Sequence, residues 1–186
     1  MAYNFEKVSV LVVDDNQPML ELIKSVLQVY GFKIIRTSRN GDEAFRIFCN
    51  EKPDLVITDW MMTPIDGISL TRRIRNDPLS PDQFTPVILM TGFSQMRRVM
   101  EARDAGVTEF LVKPFNTRDL YRRLSQIIER PRQFVRAEDF FGPDRRRKGA
   151  DDYQGTRRRE EDSVKMTTPN TGPLFYLDAK TETDSH

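Results

Sequence analysis

Five side chains give this sequence its chemical potential: Asp14, Asp15, Asp59, Thr91 and Lys113. Each stands just after a short apolar run. VSVLVV (8–13) leads to the acidic pair, LVIT (55–58) to Asp59, PVILM (86–90) to Thr91, and FLV (110–112) to Lys113. Taken singly, each has an ordinary explanation, since Asp-Asp-Asn is good turn and helix-cap sequence and a lone Thr or Lys at a strand end usually means nothing. Their joint placement reverses that preference. Three carboxylates packed together repel and raise one another's pKa unless a cation joins them. Hard oxygen ligands with open water positions suit Mg²⁺. A soft site is excluded, because Cys49 is the only cysteine and His186, the last residue, the only histidine. A divalent ion between a carboxylate and a phosphoryl oxygen neutralises the charge that otherwise keeps an anionic nucleophile from phosphate. An aspartate oxygen can then attack phosphorus and form an acyl phosphate. Lys113 can pair with a phosphoryl oxygen as a point charge, and Thr91 can donate its hydroxyl to another.

The elements between these residues decide whether they can meet. The run 8–13 is β-branched and almost wholly apolar, as a strand covered on both faces must be. Pro18 suits a helix first turn, Leu20, Ile23, Leu27 and Tyr30 recur at helical spacing, and Gly31 ends the helix. KIIRT (33–37) reads as a second strand and 41–49 as a short helix. After LVIT, Gly67 opens a helix bearing Ile68, Leu70 and Ile74. PVILM is the fourth strand, with Ser94 capping the helix that follows. FLV is the fifth, with Asn116 capping the last helix through Leu120, Leu124, Ile127 and Ile128. Five strands alternating with helices must run parallel, through right-handed crossovers that place helices on both faces. The expected fold class is α/β, a doubly wound five-stranded parallel sheet. In such sheets ligands bind beyond the carboxyl ends of the strands, where the five residues lie.

Composition sets the limits. Of 186 residues, 38% are hydrophobic and 31% charged, and 29 basic residues against 28 acidic ones leave a net charge of +1. That balance excludes a uniformly basic nucleic-acid binder, though not a local patch. One cysteine excludes an internal disulfide scaffold. No apolar run reaches the roughly 18 residues that span a bilayer, and Met1–Lys7 does not look like a signal peptide, so a cytoplasmic location is expected. The chain divides at Arg130-Pro131. Beyond it only 14 of 56 residues are apolar, which predicts a 1–130 domain and a 131–186 extension that is irregular or partner-docking.

The segments VLVVDDN (10–16), DWMMTPIDG (59–67), ILMTG (88–92) and FLVKPF (110–115) together resemble the receiver domain of bacterial two-component response regulators, over residues 5–130. The resemblance implies a flavodoxin-like sheet of order 2-1-3-4-5. It makes Asp59 the phosphoacceptor, fed by a sensor histidine kinase or a histidine phosphotransfer protein. It also implies a Mg²⁺ site made by Asp15 directly, Asp14 mainly through water, Asp59, and the backbone carbonyl of Met61. Thr91 and Lys113 become the phosphoryl-binding pair, Phe110 the switch aromatic, Pro114 a cis proline and Gly67 a structural residue of the site. Two departures stand out. The family usually has proline four residues after the phosphoacceptor; here Thr63 fills that position and Pro64 follows, which predicts a reshaped loop. Met61 and Phe93 are apolar where many receivers orient attacking water, which predicts a comparatively long-lived phosphoryl group.

The output is expected to be protein binding. Residues 131–186 lack the apolar content of a winged-helix domain, so the chain resembles a stand-alone receiver with a short extension. The first helix is expected to carry the kinase contact, with Met19 and Leu22 as exposed candidates. The face of the fourth helix, fifth strand and fifth helix carries Arg97, Arg98, Arg103, Arg118, Arg122 and Arg123. It is either a solvated basic face or a partner surface, including a phosphorylation-dependent homodimer. In the extension, Phe140, Phe141, Tyr153 and the runs Arg145–Lys148 and Arg157–Arg159 are candidate partner anchors, and Pro173–Leu177 a candidate docking strand. The alternative is a transcriptional regulator contacting DNA through the basic runs, which the interspersed acids Asp151, Asp152 and Glu160–Asp162 oppose.

Overall fold

Alternation within each strand builds two cores from one sheet. Val10 and Val12 serve one face and Leu11 and Val13 the other, and all four are buried. The computed structural model describes residues 3–92, 96–137, 140–144 and 165–167. The first part runs β1 (Ser9–Val13), α1 (Gln17–Val29), β2 (Ile34–Ser38), α2 (Gly41–Glu51), β3 (Leu55–Asp59), α3 (Gly67–Asn76), β4 (Val87–Thr91), α4 (Met96–Asp104), β5 (Glu109–Val112) and α5 (Thr117–Glu129). The five strands form one sheet of order β2-β1-β3-β4-β5, every neighbouring pair parallel.

Val10, Val12, Ile57, Ile88, Met90 and Leu111 pack under the apolar stripes of α1 (Leu20, Ile23, Leu27) and α5 (Leu120, Leu124, Ile127). On the opposite face Leu11, Val13, Val56 and Val87 meet Ala44, Phe45 and Phe48 of α2 and Leu70 and Ile74 of α3. Each fully buried aliphatic side chain contributes about 1.5–3 kcal/mol. The helix starts are fixed by side-chain caps. Asn16, Asn40 and Asp66 accept the N–H groups of Met19, Glu43 and Ser69 at 3.1, 2.8 and 2.7 Å. Asn116 and Asp119 form a reciprocal capping box at the head of α5. β2 begins one residue later than KIIRT suggested, and as one of the sheet's two edge strands it exposes Ile34. Ser94 lies outside the described residues.

The start of the extension departs from irregularity. β6 (Phe134–Ala137) and β7 (Phe140–Pro143) pair antiparallel, and β8 (Lys165–Thr167) pairs with the other edge of β6. Low average apolar content hid this hairpin because it borrows its core. Phe134 and Phe141 are buried, their ring centroids 5.2 and 5.3 Å from that of Phe84 in the loop before β4. Phe141, a candidate anchor for a foreign partner, is therefore occupied by its own chain. Tyr153, both Arg runs and Pro173–Leu177 lie outside the described residues.

Beside the hairpin lies Arg75 of α3, fully buried. Its guanidinium donates to the carbonyls of Gly106 (3.0 Å), Gln83 (2.7 Å) and Thr85 (2.8 Å) and to the Thr108 hydroxyl (3.5 Å), and it lies 5.0 Å from the Phe134 ring. Burial pulls its pKa down to about 9, which leaves it a cation at neutral pH.

Candidate functional site

Parallel strands deliver their carboxyl ends to a single rim. Asp59 is the last residue of β3 and Thr91 the last of β4. Asp14 and Asp15 follow β1, and Lys113 follows β5. The register sets them level, with Asp59 opposite Met90 and Thr91 opposite Val112. Asp14 and Asp59 are 1% and 7% exposed, while Asp15 faces solvent. Each of the three carboxylates places an oxygen within 4.8 Å of the others.

Lys113 is the counter-charge. Its Nζ lies 2.6 Å from Asp59 Oδ1 and 3.2 Å from Asp14 Oδ2. The remaining oxygens are also engaged: the N–H of Asn16 donates to Asp14 Oδ1 at 2.9 Å, and that of Met61 to Asp59 Oδ2 at 2.9 Å. Burial pushes the Asp14 carboxyl above the usual range, against the opposing pull of the Asn16 N–H and Lys113. Burial alone would lower the Lys113 ammonium; its hydrogen bond to Asp59 and the charges of both carboxylates outweigh that and hold it above the ordinary lysine value. One cation against three carboxylates leaves a net negative, all-oxygen site, and that donor set fits a hard divalent ion.

The backbone around the cluster is closely fitted. The Lys113 N–H donates to the carbonyl of Thr91 at 2.7 Å, so the lysine is hung from β4 beside a threonine that is 1% exposed. The Lys113–Pro114 peptide is cis, as the resemblance implied, and so is Thr63–Pro64 in the loop where proline is displaced by one position. Gly67 starts α3 so close to β3 that a Cβ there would stand 2.1 Å from the Asp59 carbonyl oxygen. Phe110, half-buried, packs against a cluster of Trp60, Ile68, Leu89 and Ala102. Phe93 lies outside the described residues.

Two participants escaped the sequence reading. Asn16 was legible as a cap, yet it also supplies the amide that holds Asp14. Arg39, in the loop after β2, donates to the Asp15 carbonyl at 3.2 Å. Nothing in its neighbourhood in the chain marks it, since that contact exists only because β2 pairs with β1.

Comparison with known proteins agrees with this geometry. Residues 10–125 match the family model described as "Response regulator receiver domain". The phosphate regulon transcriptional regulatory protein PhoB of Pseudomonas aeruginosa is 31% identical over 122 residues, which are 66% of this chain and 52% of PhoB. The chain spans about half the length of such transcriptional regulators. Chemotaxis protein CheY-3 of Vibrio cholerae is 32% identical over 125 residues, 67% of this chain and 95% of that one. Among solved structures, a chain of the CheX–CheY–BeF3–Mg²⁺ complex from Borrelia burgdorferi superposes with a TM-score of 0.59 at 26% identity, covering 64% of this chain and 88% of its own. The rim of acids around one lysine thus sits in a fold and a sequence context that agree with each other, and the chain belongs to the response regulator receiver domain family of two-component signalling.

Proposed function

We propose that this receiver accepts a phosphoryl group on the Asp59 carboxylate and uses it to switch contacts with other proteins. The observation that carries the reading is the Lys113 ammonium set between Asp59 and Asp14 within a cluster of three carboxylates. Receiver domains bind Mg²⁺ at such an acidic cluster and interact with histidine kinases or phosphotransfer proteins. Asp14, Asp15, Asp59 and the Met61 carbonyl are the groups that would hold the ion here. Bound Mg²⁺ supplies charge neutralisation between the carboxylates and the phosphoryl oxygens.

An Asp59 oxygen attacks phosphorus in line with the donor. A new O–P bond forms as the donor's N–P bond, on a phosphohistidine, breaks, and the imidazole leaves with the electron pair and takes up a proton. Lys113 exchanges part of its pairing with Asp59 for a phosphoryl oxygen, and the Thr91 hydroxyl donates to another. Thr91 turning toward the phosphoryl group vacates space for Phe110, whose ring has no hydroxyl to satisfy inside. The affected surface is α4, β5 and α5. Met100 and Val112 there are 54% and 47% exposed and suit a protein partner or a second copy. Arg122 and Arg123 on that face are paired with Asp119 (3.0 Å) and Glu109 (3.5 Å), so its positive charge is partly spent within the chain. Leu22, 53% exposed on α1, is the better candidate for the kinase contact than the half-buried Met19.

Intact-mass measurement with a small acyl phosphate and Mg²⁺ tests the reading. The expected result is one added phosphoryl group on the wild type and none on Asp59→Asn; equal gain in both overturns it. A second reading follows from the names of the PhoB-type relatives, a regulator that contacts DNA. Steeply salt-dependent duplex binding by the full chain would support it.

A further inference from the structure

The hairpin β6–β7 docks at the end of the sheet opposite the acidic rim, against the segment that joins α4 to β5. Three independent contacts make the dock. Gly142 lies so near Gly106 that a Cβ on it would stand 2.8 Å from the Gly106 Cα, and Gly106 itself has φ +92. Phe134 and Phe141 close over Phe84, with the buried Arg75 behind them bonded to the carbonyls of Gly106, Gln83 and Thr85. Arg132, two residues before β6, reaches Glu109 at 3.2 Å, and Glu109 is the neighbour of Phe110 in β5.

These contacts touch the far ends of the elements that leave the rim. α4 starts a few residues beyond Thr91 and ends two before Gly106, and its nine residues form a rod of about 13 Å. Val87 at the start of β4 donates its N–H to the Thr108 hydroxyl at 3.0 Å, which Arg75 also contacts. A rod that shifts at one end must pivot or slide at the other, and either motion strains the contacts that seat it. Contacts at backbone-to-backbone closeness, such as Gly142 on Gly106, tolerate only small displacements.

We propose that the β6–β7 hairpin is an autoinhibitory strap. Docked on Gly106, Phe84 and Glu109, it favours the unphosphorylated arrangement of α4 and β5, and phosphorylation at Asp59 loosens it. By linkage the effect runs both ways: undocking the strap favours phosphorylation by the same factor. This rests on the phosphoacceptor reading of Asp59. The strap also gives the extension a signal to act on, because the chain beyond Pro143 leaves from the element that is released.

Hydrogen exchange and phosphorylation, both on the full chain, test it. Gly142→Leu forces the two backbones apart, and Phe134→Ala removes packing without a clash. Both variants are expected to exchange faster at residues 99–112, with β1 and β3 protected as in the wild type. Both are also expected to raise the fraction phosphorylated at limiting acyl phosphate, in terms of its equilibrium constant, by about fivefold or more. Unchanged exchange at 99–112 in both variants overturns the strap whether or not the protein takes phosphate. A wild type that gains phosphoryl mass while residues 134–137 and 140–143 exchange as before overturns it too. A wild type that gains no mass sinks the phosphoacceptor reading and, with it, the inhibitory role, while faster exchange at 99–112 would still identify the hairpin as a brace.

Discussion

Two buried charge centres sit at opposite ends of one sheet and are solved differently. At the carboxyl rim, Lys113 is met by other ionised groups, Asp59 and Asp14. At the other end, Arg75 is met by neutral acceptors, three backbone carbonyls and one hydroxyl. Charges that balance charges can be rebalanced by anything that brings its own, a metal ion or a phosphoryl group. A cation held by peptide carbonyls has no such alternatives, because removing it orphans acceptors most of which, on Gly106, Thr85 and Thr108, are buried away from water. One end is built to be altered by chemistry, the other to stay fixed while that happens.

The contrast is sharpest in stability. Arg75→Met is expected to cost about 3 kcal/mol or more in denaturant unfolding, at about 1–3 kcal/mol for each buried acceptor left unpaired, with no recovery on adding Mg²⁺. A loss under about 1 kcal/mol would mean that the dock is not a structural centre. At the rim, Mg²⁺ at 100 times its Kd is expected to stabilise the wild type by about 2.7 kcal/mol. Lys113→Ala should enlarge that Mg²⁺-dependent gain, read as a shift in Tm, because the carboxylates lose their internal counter-ion. A Tm indifferent to Mg²⁺ in both proteins would remove the distinction between the two ends. Gly67→Ala must move α3 away from the Asp59 carbonyl, at about 1–3 kcal/mol and with fewer molecules phosphorylated at limiting donor. As a reference point away from both centres, Arg36→Ala breaks only the exposed pair with Glu51 and should change stability by less than about 0.5 kcal/mol. A larger effect there would show that surface pairs also carry the fold.

The rim was legible in the sequence and the dock was not, for one physical reason. Strand ends announce themselves: an apolar β-branched run stops, and the next residue is at the edge of the sheet. Asp14, Asp59, Thr91 and Lys113 could be placed together because topology alone brings parallel strand ends to one side. Arg75 gives no such sign. It stands in a run with Arg72 and Arg73, one exposed and one half-buried, and only the arrival of residues 83–85, 106–108 and 134 makes it the buried one. The hairpin was missed likewise, since Phe134 and Phe141 pack against Phe84 from some fifty residues away. Arg39 and Asp15 met only through the pairing of β2 with β1.

The bond from the Lys113 amide to the Thr91 carbonyl carries one more consequence. It clamps the main chains of two adjacent strands at the very residues whose side chains would grip a phosphoryl group. The spacing of the two main chains at these residues is therefore gauged by the peptide lattice, and adjustment is left to the side chains. Whatever arrives at Asp59 meets two side chains that swing from fixed roots, so the grip is set by rotating a lysine and a threonine and not by parting two strands.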